Sequence, residues 1–166
     1  DAFERLYTEY GLENVREQSI RSIDIFYELV REGFVLCDGA NEVLRELKSR
    51  GYRTGLISNT IFPEHSHEVD LEHFGLQQYL DFRIYSSEFG YRKPHSTIYE
   101  EGLRRIGLPG SATMFVGDRY VEDVEGPHKH GMSAVLKYRE GRKYPDPMPD
   151  GFPVISSLTE LLDIMD

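Results

Sequence analysis

The sequence predicts an α/β protein: a parallel sheet with helices on both faces, preceded by a purely helical segment. Three observations lead there. From Ala40 onward, short apolar runs alternate with amphipathic stretches of helical length, which is the pattern of a parallel sheet with crossover helices. Gly51, Gly107 and Gly131 close successive helical stretches just before an apolar run begins. Before Ala40 the pattern is helical only.

"AFERLYTEYGL" reads as a helix ending at Gly11, and "NVREQSIRSIDIFYELVREG" as a second ending at Gly33. In the second, Ile20, Ile23, Tyr27 and Val30 form a stripe at helical spacing. "ANEVLRELKSRG" places Ala40, Val43, Leu44 and Leu47 on one face. A short buried strand is expected over 52–58, then helical "HEVDLEHFGL" and "QQYLD", then a second strand over 82–87. "HSTIYEEGLRRIG" turns Ile98, Tyr99, Leu103 and Ile106 inward. "ATMFVGD" is a third strand, "VEDVEGPHKHG" a short helix and "SAVLKY" a fourth strand. Three prolines and two glycines make "REGRKYPDPMPDGF" a loop. "SLTELLDIM" is a closing helix with Ser157 as N-cap and Glu160 three residues on.

A chain of 166 residues suits one hydrophobic core, and 39% apolar with 29% charged residues is a globular composition. The net charge of −10 argues against nucleic acid as a partner, which needs a basic face, but allows a small phosphorylated ligand. No apolar run approaches membrane-spanning length, so no membrane partner is expected. Cys37 is the single cysteine, which fits a reducing cytoplasmic setting, and it is expected to be a small buried hydrophobe. Because the sequence opens at Asp1 rather than at methionine, a trimmed or fragmentary version of a longer polypeptide is expected. A homo-oligomer stays open.

In parallel sheets ligands sit at the carboxyl ends of the strands. Those ends carry Ser58 and Asn59, then Ser86, Ser87 and Glu88, then Gly117 and Asp118. Lys93 lies just past the second of them, before Pro94. Ser58 and Asn59 can donate to an oxyanion, and Lys93 can balance a phosphate. Asp118 offers a hard oxygen ligand suited to Mg²⁺, and Asp123 follows five residues later, within reach of the same metal. These are the electrostatic parts of phosphoryl transfer.

At these residues the sequence resembles the haloacid dehalogenase-like hydrolases. "GYRTGLISNT" is similar to that family's second motif, with Ser58 in place. "SSEFGYRKPHSTIYEEGLRRIG" resembles the third, with Lys93 before a proline. "MFVGDRYVEDVEGPHKHGM" resembles the fourth, with Asp118 and Asp123. The resemblance runs from Phe34 to the C-terminus. It implies a Rossmann-like core over 34–166 and a partial helical cap over 1–33. It also implies Mg²⁺-dependent hydrolysis of small phosphorylated metabolites through an aspartyl-phosphate. On that basis Ser58 and Lys93 are catalytic, Ser58, Asn59 and Lys93 bind substrate, and Asp118 and Asp123 hold the metal, with Glu122 a rival of Asp123. Alternatives are metal-free dehalogenation of haloacids and a non-catalytic binding or scaffold domain. A receiver domain would carry its acids first and its lysine last, the reverse of the order here.

The family's nucleophile, an aspartate in Asp-x-Asp after an apolar strand, has no counterpart in this chain. Asp38 is the nearest imitation, but Ala40 stands where the second aspartate would be, and Asp38 reads as a helix N-cap or turn residue. The nucleophile-bearing strand is therefore expected upstream of this chain, and two inner strand edges would be exposed without it. His65, His67 and His73 match no tetrahedral zinc spacing and are expected to line a polar, solvated segment. His128 and His130 are expected at the surface.

Overall fold

A computed structural model describes residues 2–165. Helices α1 (Ala2–Glu9) and α2 (Val15–Arg31) pack on each other and lead into α3 (Ala40–Ser49). Strand β1 (Gly55–Ser58), helix α4 (Glu64–His73), strand β2 (Phe82–Tyr85), the short α5 (Ser86–Phe89) and α6 (Ser96–Ile106) follow. Then come β3 (Met114–Gly117), a π-helical turn over Tyr120–Glu125, α7 (Gly126–His128), β4 (Ser133–Lys137), β5 (Val154–Ile155) and α8 (Glu160–Ile164).

All the strand pairs are parallel, as expected, but the sheet is in two pieces. β1 pairs with β2, and β3–β4–β5 form a separate three-stranded sheet. Helices cover both faces. On one, Val43 and Leu47 of α3 and Leu161 of α8 pack with Val135 and Ile155, joined by Met114 and Val116 of β3. On the other, Ile98 and Tyr99 of α6 pack with Ile84 and Met132, joined by Ile57 of β1 and Phe115 of β3. β1 and β3 thus rest on the same helix, α6, without being hydrogen-bonded to each other.

Several boundaries differ from expectation for local reasons. β1 starts at Gly55 because Thr54 is diverted to the next loop: its N–H donates to Asp81 Oδ2 at 2.7 Å, and its carbonyl accepts from the Asp81 N–H at 2.8 Å. β2 stops at Tyr85 because Ser86 turns inward, its hydroxyl donating to the Thr60 carbonyl (3.0 Å) and accepting from the Thr60 N–H (2.9 Å). β5 is a two-residue strand unforeseen in the sequence, pinned by Leu136 N–H to Pro153 O and Tyr138 N–H to Ile155 O. The expected Ser157 box is present in its reciprocal half, Glu160 Oε1 accepting from the Ser157 N–H at 2.6 Å, although α8 proper begins at Glu160.

Two side-chain expectations fail, for Cys37 and Ile20, and of the two readings of Asp38 the turn holds. Asp38 caps nothing: Gly39, in left-handed geometry (φ 78°), takes the N-cap position of α3, and Asp38 is an exposed turn residue. Cys37 is exposed, because the segment before that turn runs along the surface. Ile20 is exposed while Ser19 is buried, so the buried stripe of α2 is shifted from the one read from its spacing. Among the described residues no helix is long and apolar enough to cross a membrane.

Candidate active site

The carboxyl ends of β1 and β3 and the loop after β2 meet at one rim. Asn59, next to Ser58 at the end of β1, clamps the backbone of Lys93: its Oδ1 accepts from the Lys93 N–H and its Nδ2 donates to the Lys93 carbonyl, both at 2.8 Å. The Asn59 side chain thus has a structural partner that the sequence did not foresee. It fixes the loop that carries the lysine.

Lys93 is buried, and its Nζ donates to Asp123 Oδ1 at 2.6 Å while lying 5.0 Å from the centre of the Phe115 ring. Asp123 is 2% exposed, and its second oxygen accepts from the Arg119 N–H at 2.8 Å. A solvated surface lysine is thereby excluded. Each Asp123 oxygen accepts from one nitrogen donor, so the carboxylate orders the Lys93 ammonium.

Local sequence explains why Asp123 can be so deep. A Cβ on Gly117 would lie 2.3 Å from Asp123 Cγ, so the Gly-Asp pair at the end of β3 leaves room for the later acid. The intervening π-helical turn frees the Glu122 carbonyl to accept from Tyr99 Oη at 2.6 Å. A Cβ on Gly126 would lie 2.1 Å from that same hydroxyl oxygen. Burial, with Asp123 and Glu122 nearby, raises the Tyr99 phenol above its ordinary value, so it stays a donor. Glu122 itself turns to Arg119, at 3.5 Å, rather than to the rim.

Asp118 sits at the mouth of β3, half-buried. Arg142 Nε donates to its Oδ2 at 2.7 Å, and Arg139 lies 3.8 Å from the same oxygen. Tyr144 donates to the Asp118 carbonyl at 3.2 Å. Both guanidinium contacts fall on Oδ2, which leaves Oδ1 for a cation. One carboxylate with substrate phosphate and water is a ligand set Mg²⁺ accepts. Arg139 and Arg142 were not foreseen, and their only sequence signal is a pair of cations in the loop after β4.

Beside Asn59 and Thr60 opens a cavity of about 430 Å³, walled in part by Phe62, Ser86, Tyr91 and Arg92, a size suited to a small ligand. Tyr91 and Arg92 also escaped the sequence reading. The three histidines do not converge. His65 faces Asp24, His73 lies against Phe74, and His67 is inserted between Thr60 Oγ1 (2.7 Å) and Tyr27 Oη (3.4 Å). Among the described residues no three His, Cys, Asp or Glu side chains form a ready metal set. His67 is not solvated either: it stacks on Tyr85 at 5.0 Å, and burial lowers its pKa. His128 is exposed as expected, whereas His130 is half-buried against Tyr99, its Nδ1 2.9 Å from the Gly126 carbonyl.

The parallel strands under helices define the class as an α/β fold with polar and charged residues at its strand ends, and comparison with known proteins narrows it. A family model described as haloacid dehalogenase-like hydrolase matches residues 3–131. Glyceraldehyde 3-phosphate phosphatase from Methanocaldococcus jannaschii is 35% identical over 126 residues, covering 75% of this chain and 54% of that protein. Haloacid dehalogenase-like hydrolase domain-containing protein 3 from Homo sapiens is 35% identical over 133 residues, covering 78% and 51%. Among solved structures, the 2-haloacid dehalogenase from Pseudomonas syringae superposes with a TM-score of 0.76 at 22% identity, covering 98% of this chain and 67% of that one. A HAD phosphatase from Thermococcus onnurineus does so at 0.69 and 24%, covering 98% and 86%. The chain belongs to the haloacid dehalogenase-like hydrolases. It spans about half the length of the curated relatives it matches.

Proposed function

We propose that these residues form the larger part of a Mg²⁺-dependent phosphohydrolase acting on small phosphorylated metabolites through an aspartyl-phosphate. The observation that carries this is the buried Lys93–Asp123 pair at 2.6 Å, which fixes an ammonium in the loop after β2. The phosphatase names of several relatives agree with it. Residues 34–166 act as the core and 1–33 as a cap-like segment, tied down where Tyr27 donates to Asp70 and Arg31 lies 3.2 Å from Asp70. The exposed thiol of Cys37 fits a reducing cytoplasmic compartment.

In this mechanism Ser58 donates to a phosphoryl oxygen and Lys93 balances the charge of both phosphate and nucleophile. Asp123 keeps Lys93 in place, and Asn59 fixes its backbone. Asp118 holds Mg²⁺, which when bound neutralises charge on the transferring group. A carboxylate oxygen attacks phosphorus as the ester P–O bond breaks, and water then cleaves the acyl-phosphate. That carboxylate comes from outside residues 1–166. In the metal-free dehalogenase alternative Asp118 would hold no cation beyond its ion pair with Arg142.

Titration of the chain with inorganic phosphate, with and without Mg²⁺, tests the site. Phosphate binding should tighten with Mg²⁺, Asp118→Asn should remove that coupling, and Ser58→Ala and Lys93→Ala should weaken phosphate itself. Phosphate binding indifferent to Mg²⁺ and unchanged in all three variants would overturn the proposal.

A further inference from the structure

Helix α2 joins the loop after β1 through a continuous line of hydrogen bonds. The Phe62 N–H donates to Thr60 Oγ1 at 3.0 Å. Thr60 Oγ1 lies 2.7 Å from His67 Nε2, and His67 Nδ1 lies 3.4 Å from Tyr27 Oη. The Tyr27 hydroxyl donates to Asp70 Oδ2, and Arg31 stands 3.2 Å from the other oxygen of Asp70. The far end of the line sets the tautomer of the imidazole. Because the Tyr27 hydrogen goes to Asp70, Tyr27 Oη accepts from His67, so Nδ1 carries the proton. Nε2 is then an acceptor, and the Thr60 hydroxyl donates to it. Packing holds the ring in that register: it stacks on Tyr85 at 5.0 Å and stands edge-on to Tyr27, which is 2% exposed.

We infer that His67 is a positioning residue whose neutral, Nδ1-protonated ring ties the loop after β1 to helix α2. Thr60, where the line ends, stands two residues past Ser58 and next to Asn59, which clamps the Lys93 backbone. Ser86 holds the Thr60 backbone, so the imidazole adds the tie on its side chain. A second proton, on Nε2, would point at the Thr60 hydroxyl hydrogen. The hydroxyl would have to turn and accept, and its own hydrogen would lose its acceptor, an unpaired donor in a half-buried place. The charges facing the ring do not rescue that state. Asp70 and Glu68 on its own helix favour the added proton, but Arg31 of α2 stands 3.2 Å from Asp70 and Arg83 of β2 stands 3.1 Å from Glu68. Tyr85 also donates to Glu68, at 2.9 Å. His65 and Asp24 face each other at 3.0 Å across α4 and α2, outside this line. Burial outweighs the two carboxylates and keeps the His67 imidazole below its ordinary 6.5. The loop after β1 is therefore tied to α2 at neutral pH and released as the ring is protonated.

The test uses a His65→Gln background, so that the other histidine between α4 and α2 does not titrate. Long-range proton–nitrogen NMR spectra above neutrality should show one His67 tautomer, with its proton on Nδ1. As the pH falls through the titration of His67, amide exchange at Phe62 should quicken. Sulfate is the anion probe, because it has the shape of phosphate and keeps its charge while an imidazole titrates. Its affinity should fall on the order of fivefold over the same titration, the size of one lost hydrogen bond. His67→Gln keeps an acceptor for Thr60 but cannot titrate, so it should bind sulfate like the background chain at high pH and lose the pH dependence. Thr60→Val, which removes the donor, should bind weakly at every pH. A ring protonated on Nε2 above neutrality, Phe62 exchange indifferent to the His67 titration, or one pH profile shared by the background and His67→Gln would overturn the inference. The sulfate readout rests on the proposed phosphatase site, whereas the tautomer and the Phe62 exchange do not. No sulfate binding by any of these chains, with tautomer and exchange as expected, would leave the tie standing and count against the phosphatase.

Discussion

β3 and β4 lie side by side in one sheet, and they could hardly be more different in burial. β4 has a strand on each edge, and its Val135 and Leu136 are 0% exposed. Among the described residues β3 has β4 on one edge only, and every residue of Met114–Gly117 is half-exposed. β1 shows the same condition on the other side of the seam between the two sheets. Both strands have helices over their faces and apolar side chains, so side-chain chemistry does not set the difference. It follows from whether the second edge is occupied: a strand is sealed only when both of its neighbours are in place.

The sharpest way to break this comparison is truncation on each side of it. Leu136→Ala, in the sealed strand, should cost about 2–5 kcal/mol of unfolding free energy by denaturant titration. Leu56→Ala, in the seam, should cost about 1 kcal/mol or less, because its side chain already borders open space. Equal losses would mean that the seam is packed after all. Gly117→Ala probes the end of β3, where tight packing resumes. Its new methyl would collide with the Asp123 carboxylate, and about 1–3 kcal/mol should be lost, with a parallel loss of phosphate binding.

The smallest effect concerns pH. Burial holds the His67 imidazole below its ordinary 6.5, against the opposing pull of Asp70 and Glu68. On acidification the unfolded chain therefore takes up a proton before the fold does. The stabilisation is full above 6.5 and is lost as pH falls from there toward the folded value. Urea midpoints measured from about pH 7.5 down to about 5.5 should fall more steeply in the native chain than in His67→Gln. Parallel slopes would remove His67 as the cause.

Much of the rim was legible in the sequence because its signals are local. "VGD" after an apolar run places Asp118 at a strand mouth, and Lys-Pro after a second run places Lys93 in the next loop. The partners of these residues were not legible, because each comes from far along the chain. Lys93 meets Asp123 thirty positions on, and Asp118 meets Arg142 twenty-four positions on. Spacing on a helix likewise says nothing of what covers it, which is why Ile20 was misplaced, and Cys37, in the irregular segment before α3, was placed by residue type alone. β5, at two residues, is too short to carry a period. The division of the sheet was foreseeable only through the missing Asp-x-Asp strand, since the composition of β1 and β3 is that of ordinary inner strands.

Amide hydrogen exchange of the chain by itself tests the central claim most directly, comparing Leu56, Ile57, Phe115 and Val116 with Val135 and Leu136. An open seam predicts that the amides of β1 and β3 turned toward it exchange orders of magnitude faster than those of β4, although all belong to parallel strands under helices. Uniform protection across β1, β3 and β4 would contradict it.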